Sequence, residues 1–219
     1  MLIDGVYLNG STQGIRLLCR ERGTLENVII RNVYGRIDSF GFYITPWFWG
    51  NDRTPGFDGT SGKFRNISIE NVDVVMTDPV YDYNVQMLFC IGGDIENIRI
   101  RNVSARSDQD SFRLLSVREG HATTNPSYLG GSPTYIKDIL VDGVYAAGTD
   151  STVHFDRLFA VEGVSHVEKL ALKNITAANS GNDRSLLTID EHASVNDLTL
   201  DTLHLTGFKD QLQNNSNSK

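Results

Sequence analysis

Asp108 and Asp110, in Arg106-Ser107-Asp108-Gln109-Asp110-Ser111, lie two residues apart. In extended backbone they share a face at roughly 7 Å, near the separation at which inverting glycosidases pair an acid with a base. Asp-Ser recurs, however, as Asp38-Ser39 and Asp150-Ser151, again ahead of apolar segments. A recurring Asp-Ser is turn chemistry, because both side chains bond nearby backbone, so the pair is read as a corner before it is read as a dyad. A second concentration, Asp78-Pro79-Val80-Tyr81-Asp82-Tyr83-Asn84, brings two carboxylates and two phenols together. Asp-Pro equally starts a turn, which leaves Asp82 as a catalytic candidate beside a structural reading. The histidines, His121, His154, His166, His192 and His204, show no metal-ligand spacing, and no cofactor motif occurs. The expectation is no metal and no cofactor. His121 stands apart only because it falls in an insertion.

The elements that must position these residues repeat along the chain. Asn27-Val28-Ile29-Ile30, Asn66-Ile67-Ser68-Ile69 and Asn97-Ile98-Arg99-Ile100 share one pattern. Looser copies follow at Asp138-Ile139-Leu140-Val141, Lys169-Leu170-Ala171-Leu172 and Asp197-Leu198-Thr199-Leu200. Five residues past each first apolar position stands Val33, Val72, Val103, Val144, Ile175 or Leu203. Alternating apolar residues make a strand with one buried face. Between them Asn32, Asn71, Asn102, Gly143, Asn174 and Thr202 form a column rich in residues that enter left-handed backbone cheaply, hence a corner. A second apolar segment follows in each copy, for example Gly14-Ile15-Arg16-Leu17-Leu18, Gly41-Phe42-Tyr43-Ile44 and Phe112-Arg113-Leu114-Leu115. Strand, corner, strand and loop at this period describe a solenoid coil. The expected fold is all-β: a single-stranded right-handed parallel β-helix of roughly seven coils, its hand following from parallel crossovers.

The repeat spans 1–208 as one domain, which enters in mid-repeat and is expected to be incomplete at its N-terminal end; 209–219 is expected to be a disordered polar tail. A net charge of −7 and a pI near 5.2 argue against nucleic acid as a partner. No apolar run approaches a membrane span, and no signal peptide is evident. An N-terminal partner domain or a homotrimer is expected to cover the open coil end. Cys19 and Cys90 fall two coils apart, about 10 Å, beyond disulfide reach, so both are expected to be buried thiols. The sequons at Asn66, Asn102 and Asn174 lie on the ladder itself and are read as stacked amides rather than glycan acceptors.

Two coils carry extra residues, at 46–62 and 118–134, with only Gly92-Gly93-Asp94 at the same corner between them. Two loops flanking a low floor describe a groove that suits an extended polymer. Trp47 and Trp49 lie in the first loop and Tyr128 in the second. Such rings stack on sugars, or else they fold down over the coils. If they stack, truncating Trp47 or Trp49 to alanine is expected to weaken glycan binding by about 1 to 2 kcal/mol. Arg16, Tyr43, Gln86 and Arg113 are expected to form an outward polar column across the second segments.

Gly14-Ile15-Arg16-Leu17-Leu18, followed by Glu26-Asn27-Val28-Ile29-Ile30-Arg31-Asn32-Val33, resembles the polygalacturonase family of glycoside hydrolases, within the pectin-lyase-like β-helices. The stretch from Phe64-Arg65-Asn66-Ile67 to Pro79-Val80-Tyr81-Asp82-Tyr83 is similar to the cleft-bordering segment of the same family. Leu18 stands where that family has lysine and Tyr83 where it has glutamine. The resemblance implies Arg16 as a substrate contact. It also implies that this chain is a C-terminal half, because the family's catalytic aspartates lie upstream of the Gly-x-Arg element.

The function expected is a polysaccharide-active module, polygalacturonase-like, acting on an acidic polysaccharide. The alternative is a non-catalytic glycan-binding or structural solenoid of a phage tail spike or bacterial adhesin. Catalytic candidates are Asp82, Asp108 and Asp110; substrate-binding candidates are Arg16, Tyr43, Trp47, Trp49, Tyr83, Arg113 and Tyr128. Arg20 and Arg22 add local positive charge for uronates. The family resemblance implies an extracellular or cell-surface location.

Overall fold

A computed structural model describes residues 1–19, 23–46, 62–77, 86–118 and 133–216. The strands among these are β1 (Leu2–Leu18), β2 (Thr24–Thr45), β3 (Lys63–Met76), β4 (Met87–Ile91), β5 (Asp94–Ser107) and β6 (Arg113–Val117). They continue as β7 (Thr134–Gly148), β8 (Phe159–Val161), β9 (Ser165–Ala178), β10 (Ser185–Ile189), β11 (Ser194–Thr206) and β12 (Asp210–Asn214). All belong to one sheet, ordered β11-β9-β7-β5-β3-β2-β4-β6-β8-β10-β12, with β1 against β2. Every pairing is parallel. The sheet curves most of the way round an axis, a solenoid-like all-β arrangement.

The order follows from β1 and β2, which are long enough to serve two stacks. The first half of β2 pairs with β3 (Val28↔Ile67), its second half with β4 (Phe42↔Phe89). A first stack therefore runs β1, β2, β3, β5, β7, β9, β11, and a second runs β1, β2, β4, β6, β8, β10, β12. Between the stacks lies the core. Val28, Ile67, Ile98, Ile139 and Leu170 are in register and at most 1% exposed, with half-buried Leu198 ending the ladder. Val33, Val72, Val103, Val144 and Ile175 form the companion ladder. Each fully buried Ile or Val contributes about 1.5 to 3 kcal/mol, which is why the register holds.

The corner column is as expected. Asn32, Asn71, Asn102 and Asn174 have φ between 52° and 58°, Gly5 and Gly143 have 74°, and Thr202 has 54°. Asn27 and Asn66 also adopt positive φ, so a second bend opens the first strands. Side-chain amides hydrogen-bond from rung to rung: Asn71 Nδ2 to Asn32 Oδ1 at 3.1 Å, and Asn102 Nδ2 to Asn71 Oδ1 at 3.2 Å. Asn66 and Asn97 repeat this on the other column. Where glycine takes the corner, the preceding aspartate substitutes. Asp4 Oδ1 accepts from Asn32 Nδ2 and Asp142 Oδ1 from Asn174 Nδ2.

One expectation is corrected at the C-terminal end. The polar run Asp210–Asn214 is β12, paired with β10 through Ser185↔Asp210 and Leu187↔Leu212. Leu212 packs on the core while its polar neighbours face solvent. The alternation was too sparse to register as a strand.

Candidate functional site

Of the residues expected to meet a ligand, the second stack carries Arg16, Tyr43 and Arg113. Its columns differ from the expected one. Arg16 is in register with Tyr43, Cys90, Ser116, Ala160 and Thr188, whereas Arg113 follows Gln13, Phe40 and Met87. Gln86 is fully buried and belongs to the corner, donating to the Thr77 carbonyl while Ser107 Oγ donates to its Oε1 at 2.6 Å. The single polar column of Arg16, Tyr43, Gln86 and Arg113 is therefore corrected to two columns. The second segments bend, which places adjacent pairs such as Leu114 and Leu115 both inward and breaks strict alternation.

Part of this face is closed. Tyr43, Met87 and Cys90 form a second apolar cluster with Phe40, outside the main core. Tyr43 is only 7% exposed, and burial pushes its phenol well above the usual range. It is a packing residue rather than the solvated contact expected. Arg16, half-buried, lies with its guanidinium 5.5 Å from the centre of the Tyr43 ring, a cation–π contact. The glycine floor is also covered. Gly92 and Gly93 are buried, and a Cβ on Gly93 would come within 2.6 Å of Pro46 Cδ. Gly93 N donates to Thr134 Oγ1 at 2.8 Å, which fastens the floor to the next coil.

The neighbouring rungs of the same face carry a charged cluster that local spacing does not reveal. Arg113 Nη1 donates to Glu162 Oε1 and Oε2 at 2.8 and 2.6 Å, and Ser116 Oγ donates to Oε2 at 2.6 Å. Arg157 Nη1 lies 3.5 Å from Glu162 and 3.6 Å from Asp190. Glu162 and Asp190 each follow a registered strand end, Val161 against Ile189, so they occupy one column on successive rungs. Sharing a single guanidinium nitrogen, at 3.5 and 3.6 Å, keeps those two carboxylate oxygens close, below the roughly 9.5 Å upper limit at which glycosidases pair their acid and base. Burial raises the Asp190 carboxyl above the ordinary aspartate range, and neighbouring Glu162 raises it further against the opposing arginines. Arg113 is pulled down by burial, with Glu162 opposing. The sequence signal for this cluster is the shared exit position of Val117-Arg118, Val161-Glu162 and Ile189-Asp190, visible only once the coils are aligned.

Asp108 and Asp110 are corner residues. Asp110 Oδ1 accepts from His154 N of the next coil at 2.7 Å, whereas Asp150 Oδ1 accepts from Thr152 N within its own turn at 2.8 Å. Trp47, Trp49, Asp82, Tyr83, Tyr128, His121, Arg20 and Arg22 lie outside the described residues, as do most of both insertions. Both cysteines are buried free thiols. Among the described residues no group of three His, Cys, Asp or Glu side chains is placed to hold a metal ion.

Two further depressions lie on the first stack. One carries Lys63, Arg65, Asp94, Glu96 and Tyr135, but its charges pair across rungs, Lys63 with Asp94 at 3.3 Å and Arg65 with Glu96 at 3.1 Å. Tyr135 stacks there on His166, whose Nδ1 meets Ser194 Oγ at 2.9 Å. These contacts stitch coils together. The other depression lies beside Tyr34 and Tyr145. No family model, curated protein or solved structure matches the chain.

Proposed function

We propose that this chain is a right-handed parallel β-helix of seven coils and a polysaccharide-active module, hydrolytic and polygalacturonase-like, acting on an acidic polysaccharide. The observation that carries the reading is the pair Glu162 and Asp190, stacked on one face and sharing Arg157. Asp190 holds its proton more tightly than an ordinary aspartate, as a general acid must. Glu162, held by Arg113 and Ser116, would face the positive charge that develops on the sugar ring. Arg157 and Arg16 supply cations for uronate carboxylates on an otherwise acidic chain. An extracellular or cell-surface location accords with such a substrate.

The test is incubation with polygalacturonate and a panel of acidic and neutral glycans, with reducing-end detection, for the wild type and Asp190→Asn. Product from the wild type and none from the variant supports the reading. Product formed equally by both overturns the assignment of Asp190.

A non-catalytic glycan-binding module, as in a tail spike or adhesin, is favoured by one observation: Glu162 is saturated by Arg113 and Ser116, as a structural ion pair would be. Ile29, 43% exposed on the outer face of the first stack, would then be available to an interface. Sedimentation as a compact trimer with glycan binding but no product from any substrate would select this reading.

A further inference from the structure

Two residues beyond each corner, the first stack presents a column: Tyr7, Tyr34, Asp73, Ser104, Tyr145, Thr176 and His204. The register is direct, so Tyr34 and Tyr145 stand three rungs apart, about 14 Å along the axis at the usual strand spacing. Both are nearly half exposed, at 44% and 47%, and Tyr7 extends the column by one rung at 75%. Between the two rings Asp73 is exposed and Ser104 half-buried, side chains too short to fill the space. A depression of about 500 Å³ results, bordered on its other side by the amide column.

That column is interrupted here. Asn102 donates to Asn71, but the next corner is Gly143, which has no side chain to donate in turn. Asn174 bypasses the gap by bonding to Asp142. Among the described residues Asn102 Oδ1 therefore accepts no bond from the coil above, and it borders the depression below Tyr145. A ladder acceptor left open in a depression that two tyrosines also line is suited to a hydroxyl donor on an apolar-faced ligand.

We propose that this face binds an extended, uncharged polysaccharide along the coil axis, with Tyr34 and Tyr145 as stacking platforms and Asn102 as an acceptor. Ring faces present apolar area with a polar rim, which is the surface a pyranose stacks upon. A straight in-register column matches an extended chain, whose sugar rings are close to one rung in length. Asp73 lies between the platforms and is the charged residue among those lining the depression, so a polyuronate would be repelled there where a neutral glycan is not. The inference does not rest on the Glu162 and Asp190 face, and it stands or falls separately.

The experiment titrates cello-, manno- and xylo-hexaose, with hexagalacturonate as the charged comparison, into isotope-labelled full chain followed by amide resonances. At least one neutral hexasaccharide is expected to shift residues around Tyr34, Ser104 and Tyr145. Tyr34→Ala and Tyr145→Ala should each weaken it tenfold or more with the melting temperature unchanged, and the phenylalanine variants should retain binding. Gly143→Asn, whose Cβ would stand 3.2 Å from Asn102 Oδ1 and crowd that acceptor, should weaken binding. Asp190→Asn should bind as the wild type does, which separates this site from the other face. Absence of shifts with all three neutral sugars, alanine variants that bind normally, or tighter binding of hexagalacturonate at these residues would overturn the proposal.

Discussion

Arg113 and Glu162 are 49 residues apart, yet the guanidinium donates to both carboxylate oxygens, with each side chain only 16 to 17% exposed. Neighbouring coils bring them together. Removing one partner of such a pair strands the other charge in a poorly solvated place. Arg113→Ala or Glu162→Ala is expected to cost about 3 to 5 kcal/mol, measured by urea denaturation. An Arg113→Met/Glu162→Met double variant should recover most of that loss. Additive single losses would show that no such coupling exists.

Asp190 sets a pH dependence. Its native carboxyl binds its proton more tightly than the unfolded chain does, chiefly because of burial. Stability on this account falls as pH rises above the ordinary value of 3.8, and the loss is complete above the raised native value. Asp190→Asn has no such proton to lose. Its stability relative to the wild type should therefore improve across the acid range and level off near neutrality. Urea midpoints at a series of pH values check this, and a constant difference would refute it.

Thr202 occupies the corner with φ 54°, where the other coils have asparagine or glycine. A β-branched residue is strained there, and its Oγ1 bond to Asp201 offsets only part of the cost. Thr202→Gly or Thr202→Asn is expected to stabilise the protein by about 1 kcal/mol, while Asn71→Ala should destabilise it by about 1 to 2 kcal/mol. Equilibrium denaturation of the three variants decides the matter, and opposite signs would overturn it.

Cys90 is fully buried and its thiol is pushed up to about 12, while burial also raises Cys19. Neither presents a thiolate to solvent near neutral pH. The native protein should not react with a disulfide reagent over minutes, and both thiols should react at once in denaturant. Rapid native labelling of either would contradict the burial described.

Much of the fold was legible because a parallel stack repeats its own constraints. The ladder from Val28 to Leu198 follows from a period of two, and the corner from Asn32 to Thr202 follows from the few residues that tolerate positive φ. The second segments are less legible. Their bend places Leu114 and Leu115 on one side, so counting along the chain put Arg113 in the wrong column and made Tyr43 an exposed contact. Asp210–Asn214 is hard to recognise as a strand because it carries a single inward leucine. Asp108 and Asp110 lie at a turn, but Asp110 bonds His154 N across to the next coil, a contact that the recurring Asp-Ser pair does not reveal.

What the sequence by itself determined was the periodicity: which residues alternate, where the chain turns, and how often. Only the tertiary structure decided which outward residues become neighbours. Register across coils brings Arg113, Glu162 and Asp190 together and sets Tyr34 in line with Tyr145. The physical reason is that inward positions are selected for hydrophobicity at every rung and so leave a local pattern. Outward positions obey no shared rule within a coil, and their partners lie tens of residues away.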